Sequence, residues 1–278
     1  MLAPPMPPAE VGLASLAGFL SRKDACPLFV TGAGISIASG IPPFRGTPDA
    51  VWEQSVMEKG TVAFFQRNPV AHWKWFLGVF GTCREAKPNP AHHALKDIEE
   101  TLFEAGRSSL TVTQNVDGLH TQAGQTNLIE VHGSLTYLRC TSRNCVNGEP
   151  KGVILWDDAL TARFQAEPSF GNLPRCSHCR SLLRPHVLWF DESYSGHASY
   201  GFDAVERFLD KMTVVLFAGT SFAVNITDMI LAAAYQRAVP MFLIDPHGKD
   251  MDGMLTLIQA KAEQVLPGLA EKVRRDVL

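Results

Sequence analysis

The sequence predicts an α/β fold: a parallel sheet with helices on both faces, and a small second lobe set into it. Two observations carry this. Short strands that are apolar throughout alternate with stretches of helical periodicity, as in a sheet covered on both sides. Four cysteines fall in two close pairs, Cys140 with Cys145 and Cys176 with Cys179, separated by a polar stretch. That pattern describes a metal-stapled insertion.

The elements follow in order. Residues 11–24 place Val11, Leu13, Leu16, Phe19 and Leu20 at helical spacing. Pro27-Leu28-Phe29-Val30-Thr31 reads as a buried strand opening into the glycine turn Gly32-Ala33-Gly34. Residues 51–82 are aromatic-rich and helical in pattern, broken at Pro69, and Pro90 opens a helix over 91–104. Further strands are predicted over 109–113, 127–131, 213–218 and 240–244, with a helix over 226–237 between the last two. The metal lobe occupies about 135–185.

Composition bounds the function classes. A chain of 278 residues, 46% hydrophobic, holds one large domain or a large one with a smaller insertion. Its net charge of −3 gives no overall basic footprint for nucleic acid. No apolar run is long enough to span a bilayer. Met1–Glu10 lacks the basic start and apolar core of a secretory signal, so an intracellular location is expected, the cytoplasm first and the nucleus as the alternative in a eukaryote. Without an export signal, the paired cysteines favour metal thiolates over disulfides. Cys26 and Cys83 read as ordinary core cysteines.

Several motifs can carry chemistry. Gly32-Ala33-Gly34-Ile35-Ser36 follows a strand, where backbone N–H groups can approach a phosphate; it is equally a structural turn. Gly40-Ile41-Pro42-Pro43-Phe44-Arg45-Gly46 reads by itself first as a proline-rich surface loop; alternatively, Arg45 can neutralise phosphate and Phe44 can keep water from a reactive carbon. Thr113-Gln114-Asn115-Val116-Asp117 crowds polar groups at a strand end, where Asn115 and Asp117 can pair with a carboxamide or cap a helix. His132, after the next strand, is a candidate general base. The four cysteines fit tetrahedral zinc and leave no open position, which makes the site structural; Arg175 and His178 beside it read as surface residues. Leu183 to Glu192 is an extended run able to pair with a peptide or to link two lobes. Gly219-Thr220-Ser221 offers donors to phosphate, and Asp245 can bind ribose hydroxyls.

Taken together and in this order, the motifs resemble the sirtuins, the NAD-dependent protein lysine deacylases, over about residues 12–270. Leu183 to Phe190 and Pro88-Asn89-Pro90-Ala91-His92 look most like the branch containing the mitochondrial desuccinylase. The resemblance implies a Rossmann-like NAD-binding domain built from 10–46, 86–134 and 186–278. It also implies a small discontinuous lobe made of a helical module, 47–85, and a zinc-binding module, 135–185. His132 matches the catalytic base. Gln114, Asn115 and Asp117 match residues that hold the nicotinamide ribose and carboxamide, and Gly32, Ala33, Gly34, Ser36, Phe44 and Arg45 match the NAD loop. Gly219, Thr220, Ser221 and Asp245 match the adenosine and phosphate side, and Val187, Leu188, Trp189 and Phe190 match the strand that pairs with substrate. The implied partners are acyl-lysine proteins or peptides, with no nucleic acid and no membrane. The implied products are nicotinamide, free lysine and O-acyl-ADP-ribose. ADP-ribosyl transfer or NAD hydrolysis at the same site is the enzymatic alternative; an NAD-sensing or zinc-ribbon binding module is the non-enzymatic one.

Three departures from the pattern carry expectations. The desuccinylase branch binds acidic acyl groups through a Tyr and an Arg, where this chain has Phe76 and Val79. A carboxylate there would lack its cation, so neutral acyl groups, acetyl first, are expected. Pro43 and Asp191 stand where relatives carry Asp and Gly, which touches cofactor contacts and peptide choice. Asp245 in place of Asn would still bind hydroxyls but repel a 2′-phosphate, favouring NAD over NADP.

Overall fold

The computed structural model describes residues 8–42, 54–248 and 251–278. In chain order its elements are α1 (Pro8–Ser21), β1 (Pro27–Thr31), α2 (Gln54–Lys59), α3 (Val62–Arg67), α4 (Pro69–Phe80), α5 (Pro90–Glu104), β2 (Leu110–Thr113), α6 (Leu119–Gln122) and β3 (Leu128–Glu130). There follow β4 (Gly133–Cys140), β5 (Ile154–Leu155), α7 (Ala159–Ala166), β6 (Leu183–Val187), α8 (Phe202–Leu209), β7 (Val214–Ala218), α9 (Asn225–Gln236), β8 (Met241–Ile244), β9 (Thr256–Ile258) and α10 (Ala262–Val277).

Six strands form one parallel sheet in the order β3-β2-β1-β7-β8-β9. Every residue of β1, β2, β7 and β8 is buried, because both faces are covered. Alternate residues feed opposite cores. Phe29, Leu216 and Phe242 pack with Leu16, Leu20, Leu95, Ile98 and Leu266, on the side of α1, α5 and α10. Leu28, Val30, Val215 and Phe217 pack with Val205, Phe208, Ile226 and Ile230, on the side of α8 and α9. Strand order runs outward in both directions from β1 and β7. A crevice therefore opens at their carboxyl ends.

The second lobe has a three-stranded sheet, β5-β4-β6, and its own aromatic core. Phe65, Trp73 and Phe76 from the helices share that core with Leu138, Trp156, Phe164, Leu183 and Trp189. The Trp73 indole N–H donates to the Leu183 carbonyl at 3.2 Å, tying α4 to β6.

Most predicted elements shift by only one to three residues at their ends; α1 begins at Pro8 and stops at Ser21. The helical stretch from 54 splits into three helices, and Pro69 opens the last of them. Sequence reasoning assigned nothing to β9 and α10. β9 has three residues, and Pro267 inside α10 breaks the expected pattern.

The turns after β1 and β7 touch. Gly34 N donates to Gly219 O at 2.9 Å, and a Cβ on Gly219 (φ +62°) would lie 2.4 Å from Ile35 N. Gly219→Ala is expected to destabilise by roughly 2 kcal/mol or more, through a left-handed backbone and a backbone clash. Thermal unfolding of the purified variant measures this; an unchanged midpoint would refute it.

Candidate functional site: a polar crevice with a histidine beside a four-cysteine lobe

The four cysteine sulfurs lie within 4.8 Å of one another. Cys140 Sγ is 3.4 Å from Cys179 Sγ, and Cys145 Sγ is 3.7 Å from Cys176 Sγ. Zinc–sulfur bonds of about 2.3 Å require sulfurs roughly 3.8 Å apart in a tetrahedron, so the set fits zinc. Two N–H groups support the thiolates: Ser142 N points at Cys140 Sγ and the Asn147 amide at Cys176 Sγ. The lobe reaches the rest of the molecule through charge. Arg139, on β4 beside Cys140, is 1% exposed and pairs with Glu192 and, at 3.4 Å, with Glu149. Arg184 on β6 grips Glu192 with both terminal nitrogens at 2.9 and 2.8 Å, and its guanidinium carbon lies 3.2 Å from the centre of the Trp189 ring.

At the crevice, the predicted cofactor residues converge and bind one another. Ser36 Oγ donates to Asp117 Oδ2 at 2.7 Å and accepts from the Asn115 amide at 3.1 Å. The same amide donates to Gly32 O at 3.1 Å. Asp117 Oδ1 accepts from Leu119 N, so it caps α6 as well. The Gln114 amide donates to Thr220 Oγ1 at 3.0 Å, bridging the ends of β2 and β7. Ala33 is half-buried beside them and Ser221 is exposed. Asp245, after β8, accepts from His247 N at 2.7 Å. Asn89, at the start of α5, holds the Gly32–Ser39 turn by donating to Ile35 O and Ser39 Oγ. Hydroxyls, amides and two carboxylates suit a ligand rich in hydroxyls and carboxamide, so the set fits NAD. Pro43, Phe44 and Arg45 lie outside the described residues.

His132 sits in the turn between β3 and β4, two residues beyond the end of β3. Gly133 (φ +81°) makes the turn, because a Cβ there would meet His186 O at 2.1 Å. His132 Nδ1 lies 2.8 Å from the Gln114 carbonyl oxygen. A carbonyl only accepts, so Nδ1 carries the proton and Nε2 keeps its lone pair. Burial pushes the His132 pKa down, against the opposing pull of the Gln114 carbonyl. Nε2 in turn contacts Tyr194 Oη at 3.2 Å, with the two rings stacked at 15°. Sequence reasoning missed Tyr194, since nothing in Ser193-Tyr194-Ser195 marks an approach to His132.

Of the residues predicted to pair with substrate, Val187 and Leu188 are half-buried, Phe190 is 47% exposed, and Trp189 turns inward against Phe65 and His72. β6 is an edge strand. Beyond it the backbone donors are used within the chain: Leu188 N to His132 O, Trp189 N to Glu192 Oε2 and Phe190 N to Gly60 O. Asp191 caps α3 by accepting from Val62 N and Ala63 N. Phe76 is buried in the lobe core and Val79 is half-buried on the same helix.

A parallel sheet with a polar crevice at its switch point, a histidine whose Nε2 keeps its lone pair and a lobe with four clustered cysteines fit a dinucleotide-dependent enzyme with a structural metal site. The Sir2 family model matches residues 32–226. The chain is 35% identical over 258 residues to NAD-dependent protein deacetylase 1 of Pyrobaculum aerophilum, covering 92% of each. It is 36% identical over 222 residues to the mitochondrial NAD-dependent protein deacylase sirtuin-5 of Danio rerio, covering 76% of this chain and 71% of that one. Among solved structures, a Sir2 homolog–NAD complex superposes with a TM-score of 0.74 at 30% identity, over 95% of each chain. A Sir2 homologue–ADP ribose complex gives 0.76 at 31%, over 94% of this chain and 96% of that one. The chain belongs to the Sir2 family.

Chelating the metal, or Cys176→Ser, is expected to release one zinc per chain and lower the unfolding midpoint by roughly 10 °C, a loss of several kcal/mol. Metal analysis with thermal unfolding checks it; an unchanged midpoint after verified metal loss would contradict it. His132 must be neutral to accept a proton, and its pKa is lowered. The acid limb of the pH–rate profile should therefore fall below about 6.5, with activity retained as pH drops through that value. A limb above it would refute the assignment.

Proposed function

We infer that this protein is an NAD-dependent protein lysine deacylase acting on neutral acyl groups, acetyl among them. The observation that carries the reading is the Gln114–His132 contact, which leaves Nε2 as the only basic atom of that ring. The family match and the names of the relatives support the class. NAD, when bound, supplies the sugar carbon that the acyl oxygen attacks and the nicotinamide that leaves.

The chain's own residues do the rest. Ser36, Asn115 and Asp117 bind the carboxamide and ribose at the base of the crevice, with Gln114 and Thr220 beside them. Ala33 belongs with this cofactor wall, and Ser221 and Asp245 face the adenosine side. The carboxylate of Asp245 favours the unphosphorylated ribose of NAD. His132 Nε2 takes up the proton of a sugar hydroxyl, so that the oxygen can attack the acyl carbon. With the N–H groups of Leu188, Trp189 and Phe190 engaged, the peptide pairs with carbonyls of this segment and with the exposed residues Ser193, Ser195 and Gly196 of the loop that follows. The four thiolates hold the lobe and take no part in bond making. The aromatic core shared by α3, α4, β4 and β6 supports treating helical and zinc modules as one lobe.

Acyl choice rests on Phe76 and Val79. Neither is a cation, and the buried guanidiniums of the lobe, Arg139 and Arg184, are committed to Glu192. An acidic acyl group would therefore be desolvated without a partner.

An acyl-peptide panel with product analysis tests the function. Nicotinamide, deacylated peptide and O-acyl-ADP-ribose in equal amounts are expected; free ADP-ribose alone would mean NAD hydrolysis, and ADP-ribosylated protein would mean transfer. His132→Ala should keep the fold and lose deacylation by at least about 10²-fold. In the same assay, Phe76→Tyr with Val79→Arg should raise succinyl over acetyl preference. No change in that ratio would place the acyl pocket elsewhere.

A further inference from the structure

Tyr194 opens a short 3-10 turn, Tyr194–Gly196, in the loop that leaves the substrate segment. Its hydroxyl lies 3.2 Å from His132 Nε2. Because the Gln114 carbonyl forces the Nδ1–H tautomer, the phenol O–H must be the donor in this contact. The ring is held from behind: it stacks on Phe202 at 5.3 Å and 7°, and it packs against the core beneath α8 and α9. Burial pushes the phenol pKa up, so the hydroxyl stays protonated at neutral pH. The one lone pair of the base is therefore occupied by a side chain whose position is fixed by packing. A sugar hydroxyl could reach Nε2 directly only by expelling that ring. It reaches it without displacement through the phenol oxygen, which accepts from the Ile226 backbone N–H with one lone pair and keeps the other to accept a proton while giving up its own.

Resting on the deacylase reading, we propose that Tyr194 is a further catalytic residue, its hydroxyl relaying the proton of the NAD sugar hydroxyl to His132. The sugar O–H bond breaks as a new O–H bond forms at Tyr194. The original Tyr194 O–H bond breaks as N–H forms at His132 Nε2, and the freed electron pair of the sugar oxygen bonds to the acyl carbon as the π pair between that carbon and the cationic lysine nitrogen moves onto the nitrogen, which becomes neutral. Tyr194 ends neutral and His132 ends as imidazolium, so charge and protons balance.

Tyr194→Phe tests the relay, because it keeps the ring stack and removes only the hydroxyl. Deacylation should fall by about 10²-fold, the lower range for a positioned acid–base group. Nicotinamide release driven by acyl-peptide, which precedes the proton transfer, should persist. Adding His132→Ala to Tyr194→Phe should lose little beyond His132→Ala alone, since both act on one proton. A measurement without NAD isolates the contact: diethyl pyrocarbonate should modify His132 several-fold faster in Tyr194→Phe, read by mass spectrometry of the peptide bearing it. Equal or faster deacylation by Tyr194→Phe would make the ring a removable cap and sink the relay, as would unchanged His132 modification. Failure of the unsubstituted chain to release nicotinamide would sink the deacylase reading, and the relay with it.

Discussion

One hydrogen bond decides what this crevice can do: the Gln114 carbonyl on His132 Nδ1. It is made by backbone at the end of β2, so it depends on the register of the parallel sheet rather than on a second side chain. A carboxylate in that place would stabilise imidazolium and raise its pKa; a neutral carbonyl orients the ring with much less of that pull. Burial then wins, and the ring stays neutral. The same turn needs Gly133, whose missing side chain lets β6 pass at the His186 carbonyl. The place of His132, its tautomer and the course of the segment after β6 thus come from one crossing of backbones.

The polar residues around that crossing are satisfied by each other. Ser36 bridges Asn115 and Asp117, and Gln114 bridges to Thr220. A ligand entering here exchanges these bonds for its own. The exchange is close to neutral when its groups match, whereas an analogue without them leaves buried donors unpaired, at about 1–3 kcal/mol each. For the cofactor site proposed above, selectivity rests on that asymmetry more than on any single strong contact.

Much of this was legible in the sequence, and the limits were physical. β1, β7 and β8 declared themselves as unbroken apolar runs because both sides of each strand are buried. The cysteine spacings declared a tetrahedral site because only short turns bring two sulfurs to one ion. The glycines at 32, 34 and 219 were visible, but their reason was not: they let two turns touch, which requires knowing that β1 and β7 are neighbours. Tyr194 was invisible for the same cause. Its approach to His132 crosses sixty-two positions of sequence and depends on a ring stack with Phe202. Asp191 carried a visible departure from the family pattern, yet its role as the cap of α3 appears only in three dimensions.

The zinc lobe and the segment after β6 are joined by an arrangement that stability alone does not explain. Two buried guanidiniums, Arg139 and Arg184, face one buried carboxylate, Glu192, with Glu149 at the margin. Such clusters add little net stability over an apolar packing, since desolvation offsets attraction. Their geometry is specific, however. Arg184 donates to the Val187 carbonyl at 2.8 Å and stacks on Trp189, while Glu192 accepts from Trp189 N. The segment from 187 to 192 is thereby folded back on itself, and Arg139 ties it to the strand that ends at Cys140. Apolar replacements could fill the same volume, but they would not dictate which carbonyls face outward. What these charges contribute is the shape of the segment after β6, the one proposed to meet substrate, and that segment is anchored through β4 to the metal site.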